Sequence, residues 1–212
     1  MVRFILILSA VGLTACATHA PMSEMVMFKN PEKESERLLG ASVVDGSISE
    51  EEFLEKSQRN YEDYPATSIG LFAGRIFDDK FALSTTLGSA TGADITYRLG
   101  NKNYLTGSLS LFFRPKVIFQ RAIVNTRSGG ISLGVFGAVE EMYYSQGCST
   151  EGCLGGFLYL GDKPEYLFKA GFRSRYLFRT DEKYGFSGDF ELGYLPEVSE
   201  PFVGFSASFV LF

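Results

Sequence analysis

Apolar and polar residues alternate with a period of two along most of the chain from residue 66 to its end. In residues 104–113, Leu105, Leu109 and Phe113 share one face, while Thr106 and Ser108 share the other. That period is typical of β-strands whose two faces meet different surroundings. It predicts about ten strands, at 68–77, 80–88, 92–99, 104–113, 117–125, 130–144, 155–161, 166–178, 184–194 and 202–212.

Turn-forming sequences such as DDK, GNKN, SGG and RTDEK separate these runs. No stretch of this part is long enough and helical enough to indicate a strand–helix–strand unit. The sequence therefore predicts an all-β fold, an antiparallel up-and-down β-barrel of about 8–10 strands over residues 65–212.

The alternation leaves open which face of the barrel points outward. In a membrane barrel the apolar face meets lipid, whereas in a lipocalin-like soluble barrel it lines a ligand cavity. The polar faces are rich in Gly, Ser and Thr, as a narrow lumen would require. Tyr184 and Tyr194 are ten residues apart, roughly the 25 Å height of an outer-membrane apolar band. We therefore favour the membrane barrel, with ion pairs in the lumen among Lys169, Arg173, Arg175, Asp189 and Glu191.

The first sixteen residues have the pattern of an export signal. Arg3 precedes an apolar stretch over residues 4–13 that is too short to span a membrane, and LTAC follows it. LTAC resembles the lipobox of bacterial lipoproteins. The resemblance implies a signal peptide over residues 1–15, a diacylglyceryl group on Cys16, further acylation of the new amino terminus and contact with the lipoprotein-sorting machinery. Ala17 stands where an inner-membrane retention signal would carry Asp, so we expect a lipid anchor in the outer membrane.

The last residues, GFSASFVLF, alternate as a strand and end on Phe212. They resemble the C-terminal signature of bacterial outer-membrane β-barrels. That resemblance implies that Phe212 is part of an assembly signal read by the barrel-assembly machinery. The alternative is that the run is simply the final strand of a soluble barrel.

Residues 16–64 are acidic, and we interpret them as a lipidated tether with short helices. Residues 17–64 hold five Lys/Arg against eleven Asp/Glu. Pro31–Gly40 and Glu50–Tyr61 are predicted to be helical, from Pro and Gly at the ends of the first and a capping box in the second. DGSISEEEF resembles half of a calcium-binding loop, with Asp45, Gly46, Ile48 and Glu52 in register. Ala41 and Val43 would then stand at ligand positions, so we expect no calcium site.

Catalytic groups are scarce. His19 is the only histidine and falls in the predicted tether, which argues against Ser–His or Cys–His catalysis inside the barrel. Carboxylate pairs remain for acid–base chemistry, at Asp189 with Glu191 and at Glu140 with Glu141, although ion pairing explains the first pair better. We expect no enzyme activity, no cofactor and no metal. Neither part of the chain is basic, so no nucleic-acid partner is expected.

Cys148 and Cys153 flank a four-residue stretch in QGCSTEGCLG. In an oxidising cell envelope they are expected to form a local disulfide at a hairpin tip. The composition then supports two functions. The favoured one is a small outer-membrane barrel lipoprotein with a structural, assembly or surface-interaction role. The alternative is a tethered soluble barrel that binds an apolar ligand.

Overall fold

The structure is a computed structural model that describes residues 19–29, 34–47, 67–88, 91–110, 114–126, 128–142, 165–180, 183–196 and 199–212. A 3₁₀ helix, Ser23–Phe28, precedes the strands. The strands are β1 (Glu36–Ser47), β2 (Thr67–Ile76), β3 (Phe81–Gly88), β4 (Gly92–Arg98), β5 (Asn103–Ser110), β6 (Arg114–Thr126), β7 (Gly129–Met142), β8 (Glu165–Arg179), β9 (Tyr184–Leu195) and β10 (Glu200–Leu211).

The ten strands form a closed barrel in which each strand pairs antiparallel with its neighbours in sequence. The barrel closes where β1 pairs with β10, from Leu39 opposite Leu211 to Ser47 opposite Val203. Closure leaves no unpaired edge among these strands. The prediction of an all-β, antiparallel up-and-down barrel is confirmed.

The first strand corrects the predicted division of the chain. Residues 36–47 form β1, so the barrel begins inside the segment predicted to be a tether. The predicted helix Pro31–Gly40 is wrong over residues 36–40, because β2 and β10 would both remain open edges without this strand. Asp45 and Gly46 lie in β1 and not in a calcium-binding loop. The predicted strand 155–161, the predicted helix Glu50–Tyr61, Ile48 and Glu52 lie outside the described residues.

The two faces of the wall differ sharply. Large apolar side chains on every strand are exposed on the outside, among them Leu71, Ile95, Phe119, Phe172 and Phe186. The residues between them point into the lumen, where Ser, Thr and charged side chains are buried. The face containing Phe168 and Phe172 therefore points outward, as predicted for the favoured orientation.

The two ends of the barrel differ as well. At one end the connections 77–80, 99–102, 127–128 and 180–183 are short, and both β1 begins and β10 ends there. We call this the short-turn end. The opposite end carries the connections 48–66 and 143–164 besides three short ones, and we call it the long-loop end. Within the described residues, no helix has the length and apolar character needed to cross a membrane.

Candidate functional site

The lumen is filled by the chain's own N-terminal segment. Residues His19–Phe28, which we call the plug, are all buried inside the barrel. Three of the plug's buried apolar residues are methionines, Met22, Met25 and Met27, and methionine side chains adapt well to irregular spaces. The plug packs with Leu38, Phe72 and other inward-facing residues as the main apolar cluster of the molecule.

His19 anchors the first end of the plug to the wall. Its Nδ1 lies 2.9 Å from Ser110 Oγ, and its Nε2 lies 3.1 Å from Asp94 Oδ1. The backbone N–H of Ser23 donates to Asp94 Oδ2 at 2.7 Å, and Ser84 donates its hydroxyl hydrogen to the same carboxylate. The prediction that His19 belongs to a tether outside the barrel is therefore wrong.

The contacts of His19 resemble the partners of a catalytic triad, because a serine and an aspartate flank the two ring nitrogens. The side chains of His19 and Asp94 are completely buried, and Asp94 already accepts hydrogen bonds from the plug and from Ser84. Ser110 is buried as well. We interpret the group as an anchor for the plug, because both ring nitrogens of His19 and the backbone N–H of Ser23 are bonded to buried side chains of the wall.

Charged side chains hold the middle of the plug. Arg175 makes two parallel hydrogen bonds to Asp189, with Nη2 at 2.6 Å from Oδ2, and its Nη1 donates to Pro21 O at 2.6 Å. Glu24 Oε2 lies 2.9 Å from Arg175 Nη1 and 3.1 Å from Arg173 Nη2. The buried carboxylate of the plug therefore meets two arginines of β8, the arrangement that makes charge burial tolerable.

The structure brings the predicted lumen residues of β8 and β9 together and adds two ionic partners, Lys116 and Glu24. Arg173 lies 2.9 Å from Asp189 and 3.1 Å from Glu191, and Lys116 forms an ion pair with Glu191. The ammonium group of Lys169 lies 5.1 Å from the ring centroid of Phe202. Sequence analysis does not identify Lys116 as a lumen residue, because residues 114–116 (RPK) have the composition of a turn, whereas in the structure β6 begins at Arg114. It does not identify Glu24 either, because no local sequence pattern indicates that residues 19–28 enter the lumen.

The far end of the plug is held by its backbone. Arg179 Nη2 donates to Phe28 O at 2.7 Å, and Asn125 Nδ2 donates to Met27 O at 3.0 Å. The guanidinium carbon of Arg179 also lies 3.9 Å from the ring centroid of Phe212. The terminal aromatic ring therefore packs at the short-turn end, against the residues that hold the plug.

Described residues of the plug and the wall line a small cavity inside the barrel. Its volume is about 50 Å³, and its walls include His19, Lys116, Lys169, Arg173 and Glu191. A space of this size and polarity suits water, whereas drug-sized ligands occupy about 300 Å³ or more. It is not a cavity for an apolar ligand.

The remaining candidate residues contribute no further site in the described part of the chain. Asp189 and Glu191 are engaged with arginine and lysine, and no group of three His, Cys, Asp or Glu is placed to bind a metal among the described residues. Cys16, Cys148 and Cys153 lie outside the described residues, as do the side chains of Glu140 and Glu141.

The comparisons with known proteins add no relative. No protein-family model, curated protein or solved structure matches this chain. Its function therefore rests on its own geometry: an apolar exterior, a charged lumen and an internal plug.

Replacing Asp94 by alanine is expected to lower the free energy of unfolding by about 2–3 kcal/mol, because buried donors on both the plug and the wall lose a charged acceptor. Urea denaturation followed by circular dichroism measures the change. Asp79→Ala is the matched control, since Asp79 pairs with Arg98 at 2.8 Å but its side chain is 62% exposed. We expect the control to cost less than about 1 kcal/mol. Equal losses in the two variants would show that Asp94 does not anchor the plug.

Proposed function

We propose that this chain is a lipid-anchored barrel of the bacterial outer membrane, closed by its own N-terminal plug, with a structural or surface-interaction role and no enzyme activity. The observation that carries the proposal is the apolar exterior around a charged, plugged lumen. LTAC at Cys16 and the terminal run to Phe212 add the expected lipid anchor and assembly signal.

The exterior supports insertion in a bilayer. On β9, Tyr184, Phe186, Phe190, Leu192 and Tyr194 all face outward and are exposed. Soluble monomers rarely expose contiguous apolar patches larger than a few hundred Å², whereas here the apolar side chains continue around all ten strands. An apolar band with aromatic residues toward its edges is the surface that lipid requires.

The interior argues against an open general porin and against the lipocalin-like alternative. A soluble ligand-binding barrel needs its apolar face inside, and here that face is outside. A general porin needs an open, water-filled lumen, and here the plug occupies it. For a surface-interaction role, we propose that the two long connections, 48–66 and 143–164, contact the partner, because both join strands at the same end of the barrel.

The test separates the barrel from the lipid anchor. Residues 1–15 are replaced by a cleavable signal peptide of a non-lipidated periplasmic protein, and Cys16 is replaced by serine (Cys16→Ser). We expect this form to remain in the outer-membrane fraction after urea extraction, because the outward apolar face holds it there without the lipid. It should also migrate faster on a gel before heating than after it. The lipidated parent protein is the control. A Cys16→Ser form that is soluble and monomeric would refute the proposal.

A further inference from the structure

Two arginines lie side by side on the outward face of the barrel, at the short-turn end. Arg37 is the second residue of β1, Arg75 is the last but one of β2, and they are directly opposite each other. Both side chains are exposed. Directly opposed residues of an antiparallel pair have Cβ atoms about 4.5–5.5 Å apart, and like charges in that position destabilise the sheet. An anion that bonds to both arginines would offset this repulsion.

The described part of the chain does not supply that anion. Neither arginine forms an ion pair with a carboxylate of the described residues. The nearby turn carries two carboxylates, and both are engaged elsewhere. Asp79 pairs with Arg98 at 2.8 Å, and Asp78 accepts hydrogen bonds from the backbone N–H groups of Lys80 and Phe81. Among the described residues, no carboxylate therefore competes with an external anion for the two guanidinium groups.

The protein surface beside the pair is apolar. The next outward residue of β1 is Leu39, which is exposed, and Leu71 further along β2 is exposed as well. Leu83 of β3 is directly opposite Arg75 on its other side and also faces outward. An anion at this place would have apolar side chains next to it. The combination suits an amphiphile, with its charged head on the arginines and its alkyl chains along the leucines.

The pair lies at the depth of a lipid headgroup. Arg75 is four residues from Leu71 at the middle of β2, which corresponds to roughly 10 Å along the membrane normal with the usual rise and tilt. Half the height of an outer-membrane apolar band is roughly 12 Å. The guanidinium carbon of Arg75 lies 5.4 Å from the ring centroid of Phe77, two residues closer to the turn. The charge is therefore directed toward the edge of the band, where lipid phosphates lie.

From these observations we infer that Arg37 and Arg75 form a binding site for the phosphate of an anionic membrane lipid. The inference rests on the proposed function, which supplies the bilayer around the barrel. Guanidinium groups match phosphate geometry and donate charge-assisted hydrogen bonds to it, so two of them can hold one phosphate between the strands. Outer-membrane barrels carry short turns on the periplasmic side, so the lipid is a phospholipid of the periplasmic leaflet.

Lipid binding to the full-length protein in micelles of a neutral detergent tests the inference. Phosphatidylglycerol is titrated, and native mass spectrometry measures the bound fraction. We expect the double variant Arg37→Gln with Arg75→Gln to raise the dissociation constant by about tenfold or more, because the charge-assisted hydrogen bonds to the phosphate are lost. Diacylglycerol, which has the acyl chains without the phosphate, should bind parent and variant equally.

Arg121→Gln is the matched control. Arg121 is also exposed on the outward face, but its neighbours across the strands are Asn103 and Leu133 and not a second arginine. We expect this variant to change the dissociation constant by about twofold or less, as for a single exposed charge. A loss as large as that of the double variant would overturn the inference, because general attraction between cations and an anionic lipid would then explain the binding.

The remaining outcomes separate the lipid from a free ion and the inference from the proposed function. Equal affinity of the parent and the double variant for phosphatidylglycerol would make the inference wrong. Displacement of the lipid by inorganic phosphate at equal concentration would also make it wrong, since the site would then bind the ion alone. Both substitutions are at exposed positions, so the double variant should fold and migrate faster before heating than after it. Arg75→Gln alone should weaken binding by about threefold or more, which keeps the test decisive if the double variant does not fold. The proposed function fails separately, through a Cys16→Ser form that is soluble and monomeric.

Discussion

Replacement of Arg175 by alanine is expected to destabilise the folded barrel by about 3–5 kcal/mol, the range for breaking a buried ion pair by removing one partner. Arg175 is fully buried and forms ion pairs with Asp189 on the wall and Glu24 in the plug. It also donates a hydrogen bond to the backbone oxygen of Pro21 in the plug. Its loss leaves two buried carboxylates without their nearest guanidinium group. Urea unfolding of the protein refolded in detergent micelles gives the change in free energy.

The control for Arg175 is the same substitution at an exposed arginine. Arg121→Ala, on the outward face of β6, is expected to change stability by no more than about 0.5 kcal/mol. A double variant, Arg175→Ala with Asp189→Ala, should lose less than the two single losses added, by about 1 kcal/mol or more. Additive losses would show that the two side chains are not coupled, and would contradict the role assigned to the lumen network.

Replacement of Phe172 by arginine is expected to cost about 2–4 kcal/mol in a lipid bilayer, the penalty for a cation on the lipid-facing side at the midplane. Phe172 stands at the centre of β8 with 71% of its surface exposed, so no buried contact in the protein explains such a loss. Reversible unfolding from phospholipid vesicles measures it. On a soluble barrel the same surface change would fall within about 0.5 kcal/mol.

Phe178 supplies the matched control on the same strand. It also faces outward, with 62% of its surface exposed, but it is next to the end of β8 at the short-turn end. Near the interface a cation costs only about 0–1 kcal/mol, so Phe178→Arg should be tolerated. Equal and small effects at both positions would show that the exterior does not face lipid.

The strands from β2 onward could be predicted from the sequence because alternation is local. Each strand needs only its own two faces to be recognised, as in β5 with Leu105 and Leu109 outside and Thr106 inside. The two long connections are too long to predict the register of the strands that they join. Turn-forming residues still indicate where each strand ends. The charges on β8 and β9 could be matched for the same reason, since neighbouring strands in a meander are adjacent.

The sequence predicts a helix where β1 begins, because Pro31 and Gly40 stand where a helix would begin and end. The structure gives Gly40 another reason to be glycine. A Cβ atom there would lie 1.9 Å from Phe209 O in β10, so the close approach of two strands requires glycine. β1 and β10 approach each other only because the barrel closes between them, and no local sequence pattern predicts that contact.

The plug lies beyond sequence reasoning for a related physical cause. Residues 19–28 have no period and no partner nearby in sequence; Glu24 finds Gln120 and Arg173 only because the strands of the wall curve around it. Its methionines fill whatever space the wall leaves. A segment of this kind acquires its structure from the lumen, so its sequence alone resembles a tether.

The plug lies inside a closed ring of strands formed by the same chain, an arrangement comparable to an axle threaded through a ring. The barrel is the ring and the plug is the axle. One end of the axle cannot slip out because it continues covalently as β1. The plug and the wall are therefore one continuous chain, so the end of the plug at Phe28 is tied to the strand that closes the barrel, β1.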